Sequence, residues 1–155
     1  MAEVTLEPMS QSAYESWRAR AVSDYAAQHV TSGSWTPEES LARSQAEFDQ
    51  LLPAGLATPG HKLWSARSST GEDVGMLWIA TDRRPGLAFI YDIEMDDAHR
   101  GEGYGTATLL ALEDWCRANG LRSIGLHVFG HNLGAWRLYK RMGYVETNVN
   151  MEKKL

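Results

Sequence analysis

Apolar and polar positions along this chain change rhythm several times, and each change marks an element. Val4–Leu6 alternates as a short first strand. From Tyr14 the spacing lengthens, so that Tyr14, Trp17, Ala21 and Tyr25 fall on one helical stripe. A second helix opens at Thr36-Pro37-Glu38-Glu39, where threonine caps, proline suits the first helical position and Glu39 completes a capping box. Leu41, Phe48 and Leu52 form its inward face up to Pro53. Strand patterns then return at Lys62–Arg67 and Val74–Ala80, joined by the hairpin-like loop Ser68–Asp73, and a turn at Asp82–Gly86 leads into the strand Leu87–Met95. Leu109, Leu112 and Cys116 predict a helix stopped at Asn119-Gly120. Ser123–Phe129 alternates as a strand, Asn132 caps a helix with the face Ala135, Leu138, Tyr139 and Met142, and Val145, Thr147, Val149 and Met151 predict a final strand.

The resulting order, β-α-α-β-β-β-α-β-α-β, places antiparallel hairpins first and a βαβ crossover in the middle. It predicts an α/β fold with a mixed, mostly antiparallel sheet and flanking helices, not a doubly wound one. With no internal repeat, low-complexity tract or linker, residues 1–155 read as a single domain.

Composition narrows the function classes. A net charge of −5 argues against broad nucleic-acid binding, which needs a basic face. The single cysteine, Cys116, excludes an internal disulfide and fits a reducing compartment. The start, MAEVTLEPMSQ, lacks a basic n-region and an apolar h-region, and no stretch approaches a membrane span, so a soluble cytoplasmic protein is expected. The five histidines lack the regular spacing of a metal site, and none is expected.

The chemistry is concentrated between residues 87 and 144. The strand Leu87–Met95 feeds Arg100-Gly101-Glu102-Gly103-Tyr104-Gly105-Thr106, which opens a helix. Such a turn is a phosphate cradle: backbone N–H groups close on an anion while the helix N-terminus supplies partial positive charge. Downstream lies Asn132-x-x-Ala135-x-x-Leu138-Tyr139-x-x-x-Gly143-Tyr144. The Rossmann pattern Gly-x-Gly-x-x-Gly early in a parallel unit is missing, as is the Gly-Lys-Ser/Thr of a P-loop.

With both motifs in this order, the chain resembles the GNAT superfamily of acetyl-coenzyme-A-dependent N-acetyltransferases. That family's loop is R/Q-x-x-G-x-G/A, matched by Arg100, Gly103 and Gly105, and its later helix is matched by Asn132 through Tyr144. The resemblance implies that the amides of Arg100–Gly105 hold the pyrophosphate of acetyl-coenzyme A. It implies that the pantetheine arm lies between the strand ending at Met95 and the strand from Ser123, that Asn132 bonds to that arm, and that Tyr139 sits beside the sulfur. It also admits a homodimer. The acceptor is expected to be a primary amine on a small molecule or peptide, met by the region from Tyr14 to Gly60. A non-catalytic coenzyme-binding module on the same fold is the alternative.

Acetyl transfer from a thioester makes three demands. An alkyl amine (pKa ~10.4) is mostly protonated at neutral pH and must lose a proton to attack. Asp92 and Glu94 share one face of their strand, opposite Phe89, Tyr91, Ile93 and Met95; they read either as that base, with Glu94 nearer the glycine loop, or as a solvated edge. The oxyanion needs N–H donors, for which a bulge at the end of this strand and the Met95 amide are expected. The leaving thiolate needs a proton donor, for which Tyr139 serves either as acid or as a core aromatic. Asn132 likewise reads as a helix cap or a coenzyme contact.

Overall fold

A computed structural model describes residues 1–155. Five strands form one sheet in the order β1 (Val4–Pro8), β2 (His61–Ser68), β3 (Asp73–Ala80), β4 (Leu87–Met95), β5 (Ser123–Leu126). The first three pairings are antiparallel; β4 and β5 run parallel, joined by the crossover helix α3 (Tyr104–Ala118). Helices α1 (Gln11–Thr31) and α2 (Pro37–Leu51) cover one face of the sheet, and α3 and α4 (Leu133–Arg141) lie toward the other. No helix is long and apolar enough to cross a membrane.

Each face has its own core. On the α1–α2 side Trp17, Val22, Phe48 and Leu52 meet Leu63, Met76 and Trp78. On the α3 side Leu109, Leu112 and Cys116 meet Leu77, Ile79, Ala88 and Ile90. The caps behave as their chemistry requires: the hydroxyls of Ser10 and Thr36 accept from Ala13 and Glu39, and the Asn132 side chain accepts from Ala135.

Three sequence expectations are corrected. Leu41 is exposed at 58%; the α1–α2 contact instead buries Ser40 and Ser44, whose hydroxyl bonds to the Val22 carbonyl at 2.6 Å. Small side chains let the two helices approach, and the hydroxyl is satisfied by backbone. The strand from Ser123 stops at Leu126, where its pairing with β4 ends at Ile90. The alternating tail after Tyr144 forms no strand, and Val145, Val149 and Met151 stand exposed. Alternation makes a strand only where an edge pairs with it.

Candidate active site

Strand β4 divides in the middle. Ile79 pairs with Ile90 but Trp78 pairs with Asp92, so Tyr91 is an extra residue, a β-bulge. The bulge resets the alternation. Ile90 and Ile93 both pack with the α3-side core, while Tyr91 packs with the α1–α2 side, where Trp78 and Met76 place their partners Asp92 and Glu94. Tyr91 therefore shares the face of the two acids, contrary to the uniform alternation expected, and the bulge lies four residues before Met95 instead of at the strand end.

Beyond Ile90 no strand lies beside β4 on its β5 side. The Asp96 amide donates to the Val74 carbonyl at 2.9 Å, so by antiparallel alternation Met95 and Ile93 direct N–H and C=O away from β3, toward this opening. The Met95 carbonyl accepts from Arg100 Nε at 3.3 Å. Its side chain crosses Gly75, where a Cβ would meet the Glu94 carbonyl at 2.2 Å and the Met95 methyl at 2.6 Å. Gly75 thus seats the end of β4, a role that a lone glycine in a strand pattern signals only as close approach.

The glycine loop follows at once. Gly101 and Gly103 have φ of +77° and +87°, which side-chain-bearing residues rarely adopt, so their conformation alone calls for glycine. Gly105 is ordinary in backbone but a Cβ there would stand 3.4 Å from Leu138 of α4. Gly103 is also the N-cap of α3 and supplies no side-chain cap, unlike Ser10, Thr36 and Asn132 at the other three helices. The first-turn amides of α3, from Tyr104 to Thr106, are therefore left without a side-chain acceptor, next to the open edge of β4. Around this turn Glu102 stands 3.6 Å from His99, while Arg100 pairs with Asp97 at 3.1 Å and reaches back through Nε to the Met95 carbonyl.

Asp92 and Glu94 are not a solvated edge. Trp17 of α1, only 2% exposed, donates its Nε1–H to Asp92 Oδ2 at 2.9 Å. Burial first, then the neighbouring Glu94 charge, push the Asp92 carboxyl well above the usual carboxylate range; the Trp17 bond only partly opposes them. Glu94 differs: its Oε2 is buried without a hydrogen-bond partner, and Arg20 approaches only to 4.0 Å. A buried carboxylate oxygen without a donor is a place for a proton.

Tyr139 of α4 packs against the α3-side core, near enough to Asp92 to feel its charge. Burial, with a smaller contribution from the Asp92 charge, pushes its phenol up to about 12. Asn132 uses its side-chain oxygen on the Ala135 amide at 3.3 Å, which leaves its NH₂ group free to donate. Trp17 and the Tyr91 bulge escaped sequence reading. Trp17 was legible only as a core aromatic, whereas the three-residue step between Ile90 and Ile93 on one face was the available sign of the bulge.

The acetyltransferase (GNAT) family model matches residues 20–144. The chain is 41% identical over 154 residues to an uncharacterised N-acetyltransferase, YycN, of Bacillus subtilis, covering 98% of this chain and 99% of that protein. The crystal structure of YycN superposes with a TM-score of 0.94 at 40% identity over 98% of each chain. A mycothiol acetyltransferase of Rhodococcus erythropolis is 32% identical over 124 residues, which are 76% of this chain and 41% of that protein.

Proposed function

The chain belongs to the GNAT family of acetyltransferases, and we propose that it moves the acetyl group of acetyl-coenzyme A directly to the primary amine of a small molecule or peptide, both substrates being bound together. The observation that carries this reading is the juxtaposition at the middle of the sheet: an unpaired β4 edge, an α3 N-terminus with no side-chain cap, Tyr139 near enough to Asp92 to feel its charge, and an unpartnered Glu94 oxygen on the same strand.

In this reading the first-turn amides of α3 with Gly101 and Gly103 hold the pyrophosphate, and the outward N–H and C=O groups of Ile93 and Met95 bond along the pantetheine arm. Acetyl-coenzyme A supplies the activated acetyl group as a thioester. Glu94 Oε2 takes the proton that the amine must lose, while burial and the Glu94 charge favour the protonated form of Asp92, which Trp17 fixes in place. A β4 amide, Met95 or its neighbour in the same register Ile93, donates to the oxygen on which charge develops. A phenol at about 12 does not surrender its proton fully to a thiolate of ordinary acidity, about 8.5. Tyr139 therefore stabilises the departing sulfur by donating a hydrogen bond, and the net proton comes from the amine. Asn132 donates its free NH₂ to the coenzyme arm. The buried free thiol of Cys116 fits a cytoplasmic setting.

Calorimetric titration with acetyl-coenzyme A, repeated with ADP, tests the reading. Micromolar binding of acetyl-coenzyme A that clearly exceeds ADP is expected. Failure to bind would make the glycine loop a structural turn, and binding without transfer to any amine would favour a non-catalytic module.

A further inference from the structure

Cys116 is the last buried residue of the chain; every residue after it is half-buried or exposed. That stretch includes β5 and α4, neither of which has a buried residue, although α4 carries Tyr139. Leu138, Tyr139 and Met142 lie only half-buried against the α3-side core, and Leu133 and Trp136 of the same helix stand exposed at 54% and 40%. This end of the fold lacks a cover.

Two features there each lack what the other supplies. β5 is the last strand of the sheet, and its outer edge has no neighbour. Edge strands are commonly guarded by charge or proline, but Ser123-Ile124-Gly125-Leu126 contains neither. The segment Val145–Met151 is a strand pattern without an edge. Val145, Thr147, Val149 and Met151 alternate with Glu146, Asn148 and Asn150, and the first three are β-branched residues that favour strands. Val145, Val149 and Met151 are exposed at 76%, 66% and 93%, an apolar row of the kind that another chain covers.

The root of this segment is fixed to α4. Tyr144 packs on Tyr139 with ring centres 5.6 Å apart, and Glu146 pairs with Lys140 at 3.0 Å. From Thr147 onward the chain makes no hydrogen bond to the rest of the molecule and does not return to its own β5.

We propose that the chain forms a two-fold homodimer by exchanging this segment, Val145–Met151 of each copy lying along the outer edge of β5 of the other. A second copy fits this edge because one molecule carries both the bare strand and the segment that lacks one, so a two-fold axis satisfies both at once. Seven extended residues reach roughly 23 Å, against about 13 Å for the four residues of β5. The apolar row continues the α3-side core past Ile124 and Leu126 and supplies the cover that α4 lacks. Resting on the acetyl-transfer reading above, this cover also steadies Tyr139, so that each site is completed by the other copy.

Sedimentation equilibrium of the full chain at micromolar concentration is expected to find a dimer, whose melting temperature rises with protein concentration. Val149 is exposed and unbonded in the single chain, so Val149→Pro leaves the monomer folded. Its missing N–H is expected to weaken the dimer by about tenfold or more. The double variant Val149→Asp/Met151→Asp is expected to do the same by burying charge. A monomeric wild type, or variants that dimerise as tightly as the wild type, overturns the inference. Cross-linking Ser123→Cys/Val149→Cys with a bismaleimide separates exchange from a segment that folds back on its own sheet, since Cys116 is buried. A covalent dimer is expected; a link closed within one chain, or no link, overturns the exchange. None of these readouts uses a substrate. A chain that dimerises in this way but fails to bind acetyl-coenzyme A would remove the acetyl-transfer reading and leave the exchange standing.

Discussion

A carboxyl group buried beside a second carboxylate makes a fold less stable at neutral pH than at acid pH, and Asp92 is such a group. Its folded-state pKa lies above the unfolded value, so its contribution is fully present below about 3.9 and is lost as pH rises through the folded value. Asp92→Asn keeps an acceptor for Trp17 and presents an NH₂ to Glu94. The variant is expected to melt higher than the wild type at pH 7, with the gain shrinking toward pH 4; a change in melting temperature equal at both pH values would refute the burial argument. If Asp92 serves transfer, the same variant is slower, and stability is gained where function is lost. Tyr139→Phe separates another pair of roles. It removes the O–H and keeps the ring, so acetyl transfer is expected to fall by about tenfold or more while calorimetry finds acetyl-coenzyme A bound as before. An unchanged rate would leave Tyr139 as packing alone. At this scale the sequence showed which residue types stood close on one strand, Asp92 and Glu94, and which aromatic followed the motif, Tyr139. It was silent on depth, since Trp17 reaches Asp92 across 75 positions of chain and no local pattern encodes that contact.

At the scale of elements, β4 and α3 form one device. The bulge at Tyr91 bends the strand where its parallel partner ends, and the following loop brings an uncapped helix N-terminus beside the freed edge. Gly103 sits at the joint with φ +87° and open space around it; a Cβ would find only Ala2, at 3.6 Å. Gly103→Ala is therefore a conformational change more than a steric one, expected to cost about 1–2 kcal/mol in denaturant unfolding. Gly103→Glu adds a carboxylate where the proposed reading puts the coenzyme's pyrophosphate, and acetyl-coenzyme A binding should disappear from calorimetry. Retained affinity in the glutamate variant would move the phosphate site elsewhere. Helices and hairpins were legible because each carries its own start, stop and period: Thr36-Pro37 capped α2 as expected, and Leu87–Met95 was bounded as found. The failures fell where an element depends on a neighbour. Val145, Thr147, Val149 and Met151 alternate without a paired edge, and the strand from Ser123 lasts only as far as β4 accompanies it.

For the molecule as a whole, two cores on opposite faces of one sheet bury ionisable groups that must stay neutral. Tyr25 lies with the α1–α2 side; Tyr139 and Cys116 lie with the α3 side, and Tyr144 packs on Tyr139. Burial is the leading cause in all four: it pushes Cys116 up to about 11 and Tyr139 up to about 12, and moves Tyr25 and Tyr144 upward too. In the unfolded chain these groups ionise near their ordinary values, about 8.5 for a thiol and about 10 for a phenol. Between the unfolded and folded values the unfolded state has released protons that the folded state still holds. Stability contributed by these groups is therefore complete below the unfolded values and lost as pH rises through the folded ones. Denaturant unfolding at a series of pH values should show stability falling from about pH 9 and more steeply above about pH 10, where the three phenols join the thiol. Cys116→Ala lowers stability at every pH by leaving a small cavity in the α3-side core, but it should remove the early part of the decline while the phenol-driven part remains. An early decline that persists in Cys116→Ala would place the responsible group elsewhere, and a flat profile to pH 11 would mean that these side chains reach water more freely than the packing of the two cores allows.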